Sequence, residues 1–436
     1  MKTMHLLLLV LCTILVCCSL AEAKGWKQKE FIVTMWCAPP ATDENLQILV
    51  RDGYNLTNVS FAGDSAVPAN ESAKLLDVAQ KNGIKSLFYH PLIQPGSLDD
   101  PAKKAELDKL IEAIKHHPAL EGYHLTDEPQ ATTFPAWAKL TKYLREKDPE
   151  HLAYINLYPS YANQQQLAVF LTEEPKGPVG IPDNFAGAGT NKQTIVFYNQ
   201  HLKEFVDQVK PELISYDHYH FLKNGRDGET YFLNLALIRA AAEKAHVPFV
   251  NIVQACTIEP SWRLPNENEL RWLAYTTMAY GGRGISWFLY WGPASYGGCY
   301  QDGKRMPIAD QVARVNQDIK ALGPELMKLE STQVYHTEPL PTGTQSIADG
   351  CPVKVTGGKF VVGMFKHDKV ENTFMVMNRD YKATGFAKVT LTLGNGKLME
   401  FSIEKRKWVE VQYVQDGSIV DVELVPGGGE LFKVVE

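Results

Sequence analysis

Two acids stand side by side at Asp127 and Glu128, where the apolar run LEGYHLT (120–126) ends and Pro129 follows. A carboxylic acid fixed at the end of a hydrophobic strand, beside a second acid, has its pKa raised by burial and by the neighbouring charge. Such a group can donate a proton to a glycosidic oxygen near neutral pH. The plain structural use of the same pair would be to cap the next helix or to meet a surface Lys. Another acid, Asp217, lies in the strand-like run LISYDHY (213–219), and Glu259 lies in TIEPSW, five residues beyond Gln254.

The other strand-like runs end on Trp36, on His90, on Asn156 with Tyr158, on His218 with Tyr219, on Gln254, and on Tyr290 with Trp291. Aromatic faces stack on the C–H faces of sugar rings, and carboxylates and amides pair with sugar hydroxyls. This inventory therefore suits a carbohydrate. Trp36 and Trp291 would serve equally as core aromatics, and His90 and Tyr158 as satisfied polar residues at the rim. A phosphate would call for a Gly-rich loop opening a helix, which is absent. His218 and His220 form the one metal-like spacing, with no third ligand at fixed spacing, so no metal and no other cofactor is implied.

Eight strand-like runs must position these residues: 31–37, 55–63, 84–90, 120–126, 152–158, 213–219, 249–255 and 283–291. All are rich in β-branched or aromatic residues and are bounded by Gly, Pro, Asp or Asn. Between them lie segments such as DPAKKAELDKLIEAIKHHP, with apolar residues at three and four spacing and Pro or Gly stops. Parallel strands need a crossover helix each, so eight such units over about 300 residues predict a (β/α)8 TIM barrel. An open doubly wound sheet is the alternative, but no G-x-G-x-x-G follows the first run. In a barrel the site lies at the strand C-termini, where the strand-end residues above fall, Glu259 excepted. From Gln333 the pattern turns to period two, with Gly-Asn-Gly and Pro-Gly-Gly-Gly turns, which predicts a small C-terminal antiparallel β-sandwich.

The expected organisation is a signal peptide over 1–23, a barrel over 24–330 and a sandwich over 331–436. The signal reading rests on an apolar run from Met4 to Cys18 and an A-x-A arrangement at Ala21 and Ala23. That run is shorter than the roughly 20 residues of a membrane span, and none later is as long. Secretion, or delivery to a lysosomal lumen, is the expected destination, with no membrane contact after cleavage. The formal net charge is −6 and no basic cluster occurs, which argues against a nucleic-acid partner; no protein partner is implied. Cys37, Cys256, Cys299 and Cys351 remain after cleavage, enough for up to two disulfides or for buried thiols. Sequons begin at Asn55, Asn58 and Asn70; the first two fall in an apparent strand, leaving Asn70 as the best glycosylation acceptor.

The eight-unit pattern, Asp127-Glu128-Pro129 after the fourth strand and the aromatics from Trp287 to Trp291 resemble the (β/α)8 glycoside hydrolases. The likeness is strongest to the clan whose fourth strand ends in Asn-Glu-Pro, and it covers roughly residues 25 to 330. It implies a glycosidase with Glu128 as acid/base and a trailing β domain of a kind found among such enzymes. This chain has Asp127 where the clan has Asn, and Gln254 where the clan places its nucleophilic Glu. Three schemes follow. Asp217 is the leading second carboxylate, a nucleophile if about 5.5 Å from Glu128 and a base for water if about 6.5 to 9.5 Å away. Glu259 could instead fold back as nucleophile. In the third scheme a 2-acetamido group of the substrate attacks, oriented by Asp127. The adjacent Asp-Glu pair is similar to hexosaminidases, and Ser215-Tyr216-Asp217 resembles the strand-six Tyr-Asp of chitinase-type barrels, although the D-x-x-D-x-D-x-E run is absent. A sugar-binding barrel without catalysis, suggested by Gln254, and a metal-dependent ester hydrolase built on His218 and His220 are the rival expectations.

Overall fold

In the computed structural model the described residues are 25–60, 67–68, 71–171, 185–187 and 189–436. Eight strands form one parallel sheet: β1 Ile32–Met35, β2 Leu56–Asn58, β3 Lys85–Phe88, β4 Leu120–Asp127, β5 Leu152–Leu157, β6 Ile214–His218, β7 Phe249–Gln254 and β8 Gly284–Phe288. Their order is β1-β8-β7-β6-β5-β4-β3-β2. Asn55 closes the ring between β1 and β2: its N–H donates to the Val33 carbonyl at 3.0 Å, and its Oδ1 accepts the Val33 N–H at 2.8 Å. A helix follows each strand, the last being Pro307–Leu326. The expected (β/α)8 barrel is the fold found.

The strands are buried on both faces, which is why β7 reads as a nearly unbroken apolar run. Helices begin where their sequences supply caps: Asp100 accepts from the Ala102 and Lys103 amides, and Asn266 with Glu269 forms a capping box. Inside the barrel, Ile32, Leu56, Leu87, Leu152 and Val250 make an apolar layer closed by Trp26, which donates Nε1–H to Glu121 at 2.6 Å. Above it the period-two alternation brings polar residues inward, with Asn58 bonded to His124 and Tyr154 bonded to Ser215. That polar layer is the floor of the mouth.

The strand opening the second unit begins at Glu330. An antiparallel six-stranded sheet faces a three-stranded one formed by Val353–Thr356, Gly385–Leu391 and Ser418–Leu424. Their shared core includes Val353, Phe360, Val376, Val389, Leu398 and Phe432. The sandwich docks on the barrel helix Glu267–Ala279, where Trp272 donates Nε1–H to the Arg379 carbonyl at 3.0 Å.

Three expectations are corrected or fall outside the described chain. Cys37, Cys256, Cys299 and Cys351 are all free thiols, so no disulfide joins them. Asn55 spends its Nδ2 on Glu30 and the Phe31 carbonyl, and Asn58 is buried against His124. Asn70 and the signal segment 1–23 lie outside the described residues. Among the described residues no helix is long and apolar enough to cross a membrane.

Candidate active site

Strand β4 does not run straight into its acids. It pairs with β5 as His124 with Tyr154, then shifts register, so that Thr126 meets Ile155 and Asp127 meets Asn156. The extra residue inverts the inward and outward alternation, and a bulge of this kind re-aims a side chain beside a site. Asp127, not Thr126, therefore joins the inward row. The next residue, Glu128, has φ of 45°, a left-handed conformation that costs a non-glycine residue of order 1–3 kcal/mol. Its N–H is held by the Asn156 carbonyl at 2.9 Å. Two consecutive acids thus serve one mouth, which an ordinary strand end cannot arrange.

Asn156 ties the acids together. Its Nδ2 donates to Asp127 Oδ1 at 3.0 Å and to Asp217 Oδ1 at 3.0 Å. Its Oδ1 accepts the Ser215 hydroxyl at 3.0 Å, and Ser215 Oγ lies 2.7 Å from the Tyr154 hydroxyl. Ser215 has spent its only proton on Asn156, so Tyr154 is the donor of that last bond. The orientation of the amide is thereby determined, with both N–H groups turned to carboxylates.

The Glu128 and Asp217 carboxyls are hydrogen-bonded to each other. Burial, and then the charge of Asp127, push Glu128 up to about 7. Burial, and then the charge of Glu128, hold Asp217 well above the ordinary carboxylate range. Burial of its carboxyl end also raises Asp127, against which the Asn156 donor works. The three differ in access: Asp127 is exposed, Glu128 half-buried and Asp217 only 4% exposed.

Aromatics surround the acids. Tyr219 packs on Trp262 with centroids 4.3 Å apart and on Phe288 at 4.9 Å, and all three are half-buried. Tyr161, 47% exposed, meets His218 edge-on at 4.9 Å. Trp36 is half-buried against His124 at 5.1 Å. The Tyr158 hydroxyl is raised by burial and then by the charges of Glu128, Asp127 and Asp217, which places it near all three acids. Asp127, Glu128, Asn156, Tyr158, Asp217 and Tyr219 are thus brought together.

Other expected site residues have different roles. Gln254 is fully buried, and its amide pins loops: Oε1 accepts the Phe221 N–H, and Nε2 donates to the Phe221, Cys256 and Arg263 carbonyls. Glu259 does not fold back; its side chain is 70% exposed and pairs with Lys223 at 2.5 Å. His90 uses Nδ1 to accept the Leu92 N–H and Nε2 to donate to the Val67 carbonyl, leaving no ring nitrogen for a ligand. Tyr290 is a core residue, 2% exposed between Tyr54 and Tyr300. Trp291 stacks on Tyr300 at 5.2 Å. His218 is held by Asn234, and His220 stacks on Trp272 at 4.7 Å. Among the described residues no three His, Cys, Asp or Glu side chains are grouped to hold a metal.

The sequence reading missed His124, Tyr161, Ser215 and Trp262 as parts of this site. His124 and Ser215 occupy inward positions that strand alternation marks, whereas Tyr161 and Trp262 sit on loops with no periodic signal.

By sequence, no protein-family model and no curated protein matches the chain. Its coordinates are similar to those of a glycoside hydrolase family 5 protein from Bacteroides vulgatus ATCC 8482, at 14% identity over 95% of this chain and 92% of that one, with a TM-score of 0.57. A glucosidase from Croceicoccus marinus is 12% identical over 95% of this chain and 98% of that one, with a TM-score of 0.45. An endoglucanase from Pseudomonas stutzeri is 15% identical over 63% of this chain and 84% of that one, with a TM-score of 0.39. At these identities the likeness to the family 5 protein shows a shared fold.

Proposed function

We propose that the chain hydrolyses glycosidic bonds of an oligo- or polysaccharide, with Glu128 as general acid. The observation that carries this reading is a carboxyl pushed up to about 7 at the open end of a (β/α)8 barrel, with a second, exposed acid beside it and aromatic rings around it. A group of that pKa is both protonated and ready to give its proton near neutrality. The general acid must be protonated to work, so kcat/KM falls as pH rises above about 7.

The hydrogen bond between Glu128 and Asp217 sets their carboxyls closer than the about 5–5.5 Å of a retaining pair or the about 6.5 to 9.5 Å of an inverting one, so the second carboxylate is sought elsewhere. Access assigns the remaining roles: Asp127, exposed beside Glu128, is the carboxylate that meets the sugar. Its exposure also favours a second reading, in which Asp127 orients a 2-acetamido group of the substrate for attack on the anomeric carbon. Gln254, its amide committed to loop carbonyls, takes no part in either reading. The expected setting is secretion, with carbohydrate as the partner.

The test is product release from a broad glycan panel, read by mass spectrometry, for the wild type and Glu128→Gln. Cleavage that falls by about 10² or more in the variant, the range for losing a general acid, supports the reading. Sugars with and without a 2-acetamido group separate its two forms. A wild type that binds a glycan but cuts nothing would make this a binding barrel.

A further inference from the structure

Asp217 is the deepest of the three acids, and its surroundings define its protonation state by geometry. One oxygen, Oδ1, accepts from Asn156, whose amide cannot turn because Ser215 occupies its carbonyl. Its carboxyl also bonds that of Glu128, and two carboxyl oxygens approach to hydrogen-bonding distance only with a proton between them. The charges acting on Asp217 are the carboxylates of Glu128 and Asp127. The other titratable groups facing it are hydroxyls of Tyr154, Tyr158, Tyr161, Tyr198, Tyr216 and Tyr219, all raised by burial and therefore neutral.

Two effects decide which acid keeps the shared proton. Full burial penalises a charge by up to several pKa units, and Asp217 is 4% exposed while Glu128 is half open. The single donor from Asn156, charge-assisted if Asp217 were ionised, offsets about one to two such units. Burial wins, and the proton rests on the inner acid.

We infer that Asp217 is a positioning residue in its neutral form, held by Asn156 through one oxygen and donating from the other to Glu128, and that it is not the nucleophile. This rests on the reading of Glu128 as general acid. The role given to Asn156 is to hold the inner acid in place, and the spine from Tyr154 through Ser215 to Asn156 holds the clamp.

Asparagine at this position copies the protonated acid, with Oδ1 to accept from Asn156 and Nδ2 to donate to Glu128; alanine removes both. On whichever glycan the wild type cleaves, Asp217→Asn should retain activity within about tenfold, while Asp217→Ala should lose about 10² or more. Equal, near-complete loss in both variants, with azide restoring Asp217→Ala and yielding a glycosyl azide, would make Asp217 the nucleophile. Full activity in both would show that the position does not matter. Either result overturns the inference.

A second readout needs no substrate. A carboxyl whose folded pKa is raised contributes stability that is present below its ordinary pKa and is lost as pH rises through the folded value. Asparagine does not titrate, so Asp217→Asn should gain Tm relative to the wild type between pH 5 and pH 8. A pH-independent offset, or a relative loss, would show that Asp217 is charged in the folded protein. If the wild type cleaves no glycan, this comparison still decides the state of Asp217 on its own.

Discussion

At the scale of the residue, the site turns on amides that cannot be read as hydrogen-bonding surface for a ligand. Asn156 and Gln254 both end barrel strands, and both resemble sugar-binding groups in sequence. Asn156 does reach the acids, but as a clamp with both of its N–H groups and its carbonyl engaged. Gln254 faces three carbonyls with its Nε2. Gln254→Glu, an attempt to restore a strand-seven nucleophile, would set a carboxylate oxygen against those carbonyls with no donor. We expect no gain in hydrolysis and a loss of about 3–5 kcal/mol at pH 7, the range for an uncompensated buried charge, measured by urea unfolding. New activity without loss of stability would show that the loops can move aside.

At the scale of the element, β4 decides what the acids can do. Its register shift after His124 sets Asp127 against Asn156, and the left-handed Glu128 turns the next side chain back toward the same mouth. Gly122 sets the approach of β4 to β5 below this point: a Cβ there would stand 2.3 Å from the Leu152 carbonyl oxygen. Gly122→Ala must therefore push the strands apart. We expect a cost of about 1–3 kcal/mol, as for overpacking elsewhere, together with reduced activity because the Asp127–Asn156 contact lies on the same pair of strands. Loss of stability with activity intact would show that the acids do not depend on this ladder.

At the scale of the whole molecule, the sandwich supports the site as well as following it. Trp272, 2% exposed, stacks on His220 in the loop after β6, contacts Tyr231 and Phe232, and donates to the Arg379 carbonyl of the sandwich. Tyr381 reaches from the sandwich to Asp227 in the same loop, with an oxygen separation of 2.7 Å. The loop begins at Tyr219, one of the rings around the acids. Trp272→Ala is expected to cost about 3–5 kcal/mol, typical of large-to-small changes at a buried aromatic, and to weaken substrate binding through Tyr219. Calorimetry showing two separate transitions in the variant and one in the wild type would confirm that this residue couples the two units.

The sequence by itself determined the architecture, because eight alternations of strand and helix period admit few foldings and a barrel puts strand ends on one face. It also singled out Glu128, Asp127 and Asp217, because acids at the ends of apolar runs are conspicuous against their surroundings. Only the tertiary structure decided how these acids are placed relative to one another. A one-residue shift between β4 and β5, a left-handed turn at Glu128 and the depth of Asp217 leave no mark in periodicity or composition. The same limit explains Gln254, His90, Glu259 and Tyr290: residue type and strand position say where a side chain starts, while hydrogen-bond partners and solvent access arise only from elements far apart in the chain. Tyr161 and Trp262 join the site for the same reason, since loops carry them to the mouth without any period to announce them.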